Sequence, residues 1–424
     1  MASQQALRTE LRARIARVRR ELRIYDKNSA LLVSSAPRRT KARDLHYPYH
    51  QDNDFFYLTG SELEEATAVI FGDERKPLLI APEVSELKLI WEGAGEDAGS
   101  VARRMGASLV STDSPLEEIH SAVKNTRYLF HPNTSGQQGF ETARKLFLLS
   151  SHRRSSPPIF FGHTDHVLEK LRLKKSTFEV TQISQAISIS QRALQAVIPF
   201  IQPGMRELEL ATRLRHAIEE QGSKESFPAI IASGPNAAIL HHTPGTRRFQ
   251  AGEFVTIDFG ATYEGYAADI TRVFPVGTPP EVHRELYSLL LETQTKIVSK
   301  IRPGKTWKSL NELSEELLLK GLRELGILKG PIAKLRKEKA IKKFYPHSLG
   351  HSLGLAVHDI GPLRSAGEAK LTPGIVVTVE PGIYSQSKIG RIPPFGMRIE
   401  DDVLVTATGA RNLSSAIPKI LDLQ

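Results

Sequence analysis

Apolar residues recur at helical spacing near the start of the chain. Leu7, Leu11, Ile15, Val18 and Leu22 fall on one side of residues 6–25 with Arg and Glu opposite, which predicts an amphipathic helix. Ser29 to Pro37 predicts a short strand. Arg43 to Gly60, RDLHYPYHQDNDFFYLTG, is rich in aromatics and turn formers and reads as a packed loop leading to a strand. Thr67 to Pro82 reads as a hairpin around Gly72-Asp73. Leu116 to Val123 and Thr142 to Leu149 read as helices, and Arg127 to Pro132 as a strand. Strands alternating with helices predict an α/β unit of about 160 residues. A basic, polar stretch, SSHRRSSPP from Ser150 to Pro158, comes near its end.

A boundary is expected near residues 165–180, where a long amphipathic helix begins. Ile183, Ile187, Ala193 and Val197 keep near-helical spacing along it. Gln202 to Gly222 opens with Pro-Gly and closes with Gly, the punctuation of a capped helix. Arg302 to Gly326 repeats that pattern, which hints at an internal duplication. Phe227 to Gly245 predicts a strand, a Gly-Pro-Asn turn and a second strand ending in His241 and His242. Pro279 to Ile301 predicts a helix with Pro in its first turn.

Phe254 to Val276, FVTIDFGATYEGYAADITRVFPV, predicts a β-hairpin with a turn at Tyr263 to Gly265. A two-residue turn at Tyr263-Glu264 sets Asp258 directly opposite Asp269. A turn at Glu264-Gly265 makes them diagonal neighbours on the same face, because the side-chain period is two. Two carboxylates so placed in an apolar hairpin need a cation or a retained proton. The bland alternative is two exposed Asp residues on an edge hairpin.

Three further segments carry chemistry. Phe344 to Pro362 holds His347, His351 and His358. The first two have the spacing of a helical zinc pair, yet Gly350 and Gly354 argue for a strand or loop, so one of the pair is the expected direct ligand. Glu380 ends an apolar strand, Gly374 to Tyr384. Gly396 to Thr406 predicts another strand, with Arg398 and Glu400 on one face, Asp401 turned away and Asp402 returning to the Glu400 face. Asp258, Asp269, Glu380, Glu400 and one imidazole carry about four negative charges. Two divalent cations would balance them, and such a pair activates water and polarises a carbonyl.

Composition narrows this further. By length alone the 424 residues suit two or three domains. There are no cysteines, which excludes disulfides, thiolate metal sites and a Cys nucleophile. The net charge of +10 sits largely in runs such as Leu11 to Arg23 and Lys334 to Lys343. These runs lack interleaved aromatics, so solvated faces are expected and no specific nucleic-acid partner. No apolar run is long enough to span a membrane, and the N-terminus is not a secretory signal. A cytoplasmic protein is the expectation.

Together DFGATYEGYAADITR, HSLGHSLGLAVHD, TVEPGIY and MRIEDD resemble the pita-bread metallopeptidases: aminopeptidase P, prolidase and methionine aminopeptidase, with creatinase as a non-peptidase cousin. The string from Arg43 to Gly60 resembles aminopeptidase P in particular. The resemblance implies an α/β (α+β) chain, with an N-terminal domain over residues 1–170 and a C-terminal pita-bread domain over 175–424. It implies metal ligands Asp258, Asp269, His351, Glu380 and Glu400 for two divalent ions, Mn first, with Co, Zn or Fe as alternatives. It implies Glu380 as general base, His242 and His358 as catalytic groups that also bind the substrate, Arg398 beside Glu400, and Asp44 as a contributor to the pocket. Ser352 stands where relatives often carry Trp, which is expected to widen the mouth of the pocket. The implied activity is cleavage between an N-terminal residue and a following proline, by a homo-oligomer (dimer or tetramer). A dipeptide-only prolidase and a catalytically inactive binding module are the alternatives.

Overall fold

The computed structural model describes residues 2–131, 144–146, 148–149, 158, 160–361, 363 and 369–419. The predicted helix at Thr142 to Leu149 lies partly, and the basic stretch at Ser150 to Pro158 almost wholly, outside these. The chain divides into two compact units, Met1–Arg172 and Leu173–Gln424.

The first unit opens with a helix, Ala2–Tyr25. Its Leu11, Ile15, Val18 and Leu22 are buried, as their spacing requires. The strands are β1 (Ser29–Ser34), β2 (Thr40–Ala42), β3 (Leu45–His46), β4 (Thr67–Phe71), β5 (Leu78–Ala81), β6 (Ser108–Ser111), β7 (Tyr128–His131) and β8 (Phe160–His163). All but β2 and β3 form one mixed sheet, ordered β6-β5-β4-β1-β7-β8 among the described residues. Ala30, Leu32, Val69, Phe71 and Leu129 pack with Ile119 and Val123 of the helix Pro115–Val123. The Arg43 to Gly60 string departs from expectation: it ends in a helix, Asn53–Thr59, rather than a strand. Asp52 caps it by accepting from the backbone N–H groups of Asp54 and Phe55, both at 2.9 Å. This local hydrogen bonding outweighs the strand preference of the Phe-Phe-Tyr run.

The second unit begins with helix Thr177–Val197, capped by Ser176 and Glu179 reaching to each other's backbone. Ile183, Ile187, Ala193 and Val197 are buried along it. Helix Glu207–Glu219 follows a Pro-Gly turn. Helices Glu281–Lys300 and Trp307–Glu324 repeat the arrangement. The strands are β9 (Ile230–Ser233), β10 (Phe254–Phe259), β11 (Thr262–Tyr263), β12 (Tyr266–Ala267), β13 (Ile270–Pro275), β14 (Val376–Val379), β15 (Gly382–Ser385), β16 (Phe395–Arg398), β17 (Asp401–Val405) and β18 (Ala410–Asn412). Two three-stranded antiparallel sheets, β13-β10-β9 and β14-β17-β18, follow the two helix pairs in chain order. The strand expected before His241 is absent. Gly234 to Ala238 is a 3-10 turn, and residues 239–245 after it hold no strand.

Both acid-bearing ladders are regular where the side chains must be aimed. The β11–β12 hairpin turns at Glu264 and Gly265, both in the left-handed region, as a tight hairpin turn requires. That selects the second of the two registers. Asp258 pairs with Thr271, so Asp258 and Asp269 are diagonal neighbours on one face. Gly260 lies opposite Asp269 in this register. A Cβ there would fall 1.8 Å from the Ala268 carbonyl oxygen, so no side chain fits. In the other ladder, Val379 pairs with Asp401 and Gly382 with Arg398. The register continues across a break, and it sets Glu380 opposite Glu400. The single strand expected over Gly396 to Thr406 is therefore two, β16 and β17, parted at Ile399-Glu400.

Candidate metal centre

Three backbone–backbone hydrogen bonds and one from a backbone N–H to a carboxylate bring the pieces together. Glu400 N–H donates to the Thr271 carbonyl (3.1 Å), tying the second ladder to the first. Thr378 N–H donates to the His351 carbonyl and Glu380 N–H to the Leu349 carbonyl, both at 2.9 Å. Ser352 bridges Val377, so the histidine loop runs antiparallel beside β14. Asp269 N–H donates to Asp402 Oδ2 (3.2 Å).

The result is a compact acidic cluster. Asp269, His351 and Glu400 each place a ligand atom within 4.8 Å of the others. His351 Nε2 lies 3.4 Å from Asp269 Oδ2 and 3.5 Å from Glu380 Oε1. Its Nδ1 faces the Ser352 carbonyl at 3.1 Å; donating there leaves Nε2 as the free ligand atom. His347 differs: Nδ1 meets the Ser348 carbonyl at 2.8 Å and Nε2 the Tyr384 hydroxyl at 3.0 Å. Both its nitrogens are engaged, so of the two spaced histidines only His351 has one to offer a cation. Burial, then Arg398, holds His347 down at about 3, hence neutral.

The electrostatics fit a cation. Burial, then the Asp258 carboxylate, pushes the Asp269 carboxyl well above the usual range. Burial, then Asp269, does the same to Glu400, and burial raises Asp402. Glu380 is raised by burial, with His351 and Arg398 opposing. Asp258 Oδ1, Glu400 Oε1 and Asp402 Oδ1 are buried without a hydrogen-bond partner. Orphaned acceptors on crowded carboxylates are what an oxygen-coordinated divalent ion satisfies. Asp258 Oδ2 is held at 2.5 Å by Arg398 Nη2. Arg398 Nη1 also donates to the Tyr384 hydroxyl at 2.8 Å. Tyr384, pushed up to about 12 by burial, escaped the sequence reading. It closes an apolar strand, where an aromatic needs no functional explanation.

These groups border a cavity of about 780 Å³. His242 and His358 line it, with apolar walls from Phe227, Ile230, Leu240 and Val357. The His358 ring stands 4.1 Å from that of His351. Larger hollows of about 970 and 800 Å³ occur in the first unit; in the second of these Glu64 and Glu92 are paired with Arg38. Asp44 is an exposed residue of the first unit, whereas the cavity just described is lined by the second. Ser352 is buried and does not line the cavity. Glu207 was also missed. It lies 2.8 Å from His242 Nε2, but an acid in the first turn of a helix is ordinary.

Residues 181–407 match the model of metallopeptidase family M24, and residues 11–130 that of the aminopeptidase P N-terminal domain. The chain is 31% identical to an Xaa-Pro aminopeptidase of Escherichia coli, over 92% of this chain and 91% of that one. It is 33% identical to an Xaa-Pro dipeptidase of Pyrococcus furiosus, over 72% and 79%. Its fold superposes on aminopeptidase P from E. coli with the inhibitor Pro-Leu, at a TM-score of 0.90 and 31% identity, covering 97% and 96% of the two chains.

Proposed function

We propose that this chain, which belongs to metallopeptidase family M24, hydrolyses the peptide bond between an N-terminal residue and a following proline. The observation that carries this reading is the buried carboxylate cluster, with its unpartnered oxygens, at the wall of a partly apolar cavity. Its likeness to Xaa-Pro aminopeptidases supports the substrate class. Asp258, Asp269, His351, Glu380 and Glu400 are the proposed ligands of two divalent ions, Mn first, with Co, Zn or Fe as alternatives. Ions held there supply Lewis acidity toward the scissile carbonyl and ease the deprotonation of water.

The chain's own residues do the rest. Glu380 takes a proton from the attacking water and returns it to the prolyl nitrogen as the C–O bond forms and the C–N bond breaks. His358 and His242 line the cavity and hydrogen-bond the peptide. Arg398 holds Asp258 in its ligand geometry. The Xaa-Pro bond carries no N–H and has a fixed φ, which defeats extended-strand recognition. A site that grips the free amine and the carbonyl needs neither. Asp44 remains a proposed contributor to substrate binding from the first unit.

The second reading is a dipeptidase, favoured by the likeness to the P. furiosus protein. A dipeptidase needs a cation for the carboxylate that follows proline, and Arg398 is already committed to Asp258 and Tyr384. Xaa-Pro-Xaa peptides are therefore expected to be cut at least as efficiently as Xaa-Pro. Cleavage of dipeptides alone would establish the second reading. Replacing the proline by alanine is expected to lower kcat/KM at least about tenfold, roughly 1.4 kcal/mol of lost ring packing and fit. A homo-oligomer in the cytoplasm is part of the proposal; light scattering that gives a monomer would remove the first element. Among the described residues no helix is long and apolar enough to cross a membrane.

A further inference from the structure

The geometry points to Glu207 as a positioning residue that fixes the tautomer and aim of His242. This inference rests on the reading above, in which His242 faces the peptide. Glu207 is fully buried at the start of helix Glu207–Glu219. Its Oε1 accepts from Ser233 N–H (3.0 Å), Ser233 Oγ (3.3 Å) and Asn236 Nδ2 (3.1 Å). Its Oε2 accepts from Asn236 Nδ2 (3.1 Å) and Gly245 N–H (3.4 Å), and meets His242 Nε2 at 2.8 Å.

Every other neighbour on this carboxylate is a donor, so both oxygens act as acceptors. The His242 contact then requires the proton on Nε2. With Nε2 committed to a buried carboxylate, Nδ1 is the ring nitrogen left for the cavity that His242 lines. A helix dipole alone would be served by an exposed acid in the first turn. It does not account for a fully buried one whose shortest contact is the imidazole. The same carboxylate ties the end of β9, the 3-10 turn and Gly245 together, so the His242 loop is braced at three points. A gain of order in one side chain next to reacting groups is worth decades in rate when it sets the attack geometry.

The test uses the full chain labelled with ¹⁵N-histidine, with kinetics on the metal-loaded enzyme. In the unmodified protein the His242 ring, assigned by its loss in His242→Ala, is expected as the Nε2–H tautomer. Glu207→Gln should give a mixture of tautomers and lower kcat/KM on Xaa-Pro-Xaa at least tenfold, with bound metal unchanged. On the His242→Ala background, Glu207→Gln should add less than twofold. An Nδ1–H tautomer in the unmodified protein overturns the inference, and that measurement stands even where Glu207→Gln fails to fold. Additive losses overturn it as well, since they mark Glu207 as a brace with no role through His242. Full activity of His242→Ala instead removes the role proposed for His242 itself.

Discussion

Glu400, Asp401 and Asp402 are consecutive buried acids at the start of β17, yet their side chains alternate between two opposite electrostatic environments. Asp401 is saturated with donors. Arg272 and Ser414 reach it at 2.9 Å, Gln294 at 2.7 Å and Asn412 at 2.6 Å, and Lys419 also pairs with it. Burial works to raise its carboxyl, but Arg272 and Lys419 hold it at about 2. Glu400 and Asp402, on the other face, each keep a buried oxygen without a partner and are raised well above the usual range. Burial is common to all three; partners decide the outcome. The saturated face is structure. The starved face is the part of the molecule that calls for a cation.

The sharpest way to break this comparison is to remove one charge from the acidic cluster that Glu400 shares with Asp269 and one from the saturated face. Asp269→Asn should strip metal and lower kcat/KM roughly 10³-fold, the scale of several kcal/mol of lost charge stabilisation, while the fold survives. Elemental analysis beside kinetics checks both halves. Asp401→Ala should do the reverse. It leaves Arg272 and Lys419 facing a hole and should cost about 3 kcal/mol in urea denaturation, with metal still bound by the protein that remains folded.

The pH dependence carries opposite signs. In the metal-free protein Asp269, Glu400 and Asp402 hold protons more tightly folded than unfolded. Their contribution is full below about pH 4 and is lost as pH rises through the raised folded values. Asp401 stabilises above its ordinary value of 3.8 and loses that contribution as pH falls toward about 2. Denaturation midpoints of the metal-free chain should therefore fall from about pH 5 to pH 8, and added divalent ion should flatten that fall. A metal-free midpoint that rises over the range would contradict the starved face.

Much of this was legible in the sequence because carboxylates at strand ends have few innocent uses. Asp258 and Asp269 flank a turn whose register is restricted by glycine, and Glu380 and Glu400 interrupt strongly apolar runs. What was not legible depends on through-space partners. Tyr384 sits in a strand where any aromatic packs well, and Glu207 precedes His242 by 35 residues at a position where helices favour acids. The helix Asn53–Thr59 was hidden because its Asp52 cap lies within an aromatic-rich, turn-rich string that reads as a packed loop leading to a strand.

Smaller effects separate the imidazoles. His242→Ala and His358→Ala should each lose rate by roughly 10²-fold with metal retained, as substrate-facing groups. His351→Ala should lose metal as well. His347→Ala, whose ring is tied to Ser348 and Tyr384, should retain metal. If His347→Ala empties the site and His351→Ala does not, the ligand has been assigned to the wrong ring.

The most direct test counts ions. The purified chain is stripped with chelator, assayed, refilled with Mn and analysed by elemental analysis after removal of free metal. The account predicts no hydrolysis of Xaa-Pro-Xaa when stripped, restored hydrolysis when refilled, and two ions per chain. Full activity in the stripped chain, or a refilled chain holding one ion or none, would contradict it.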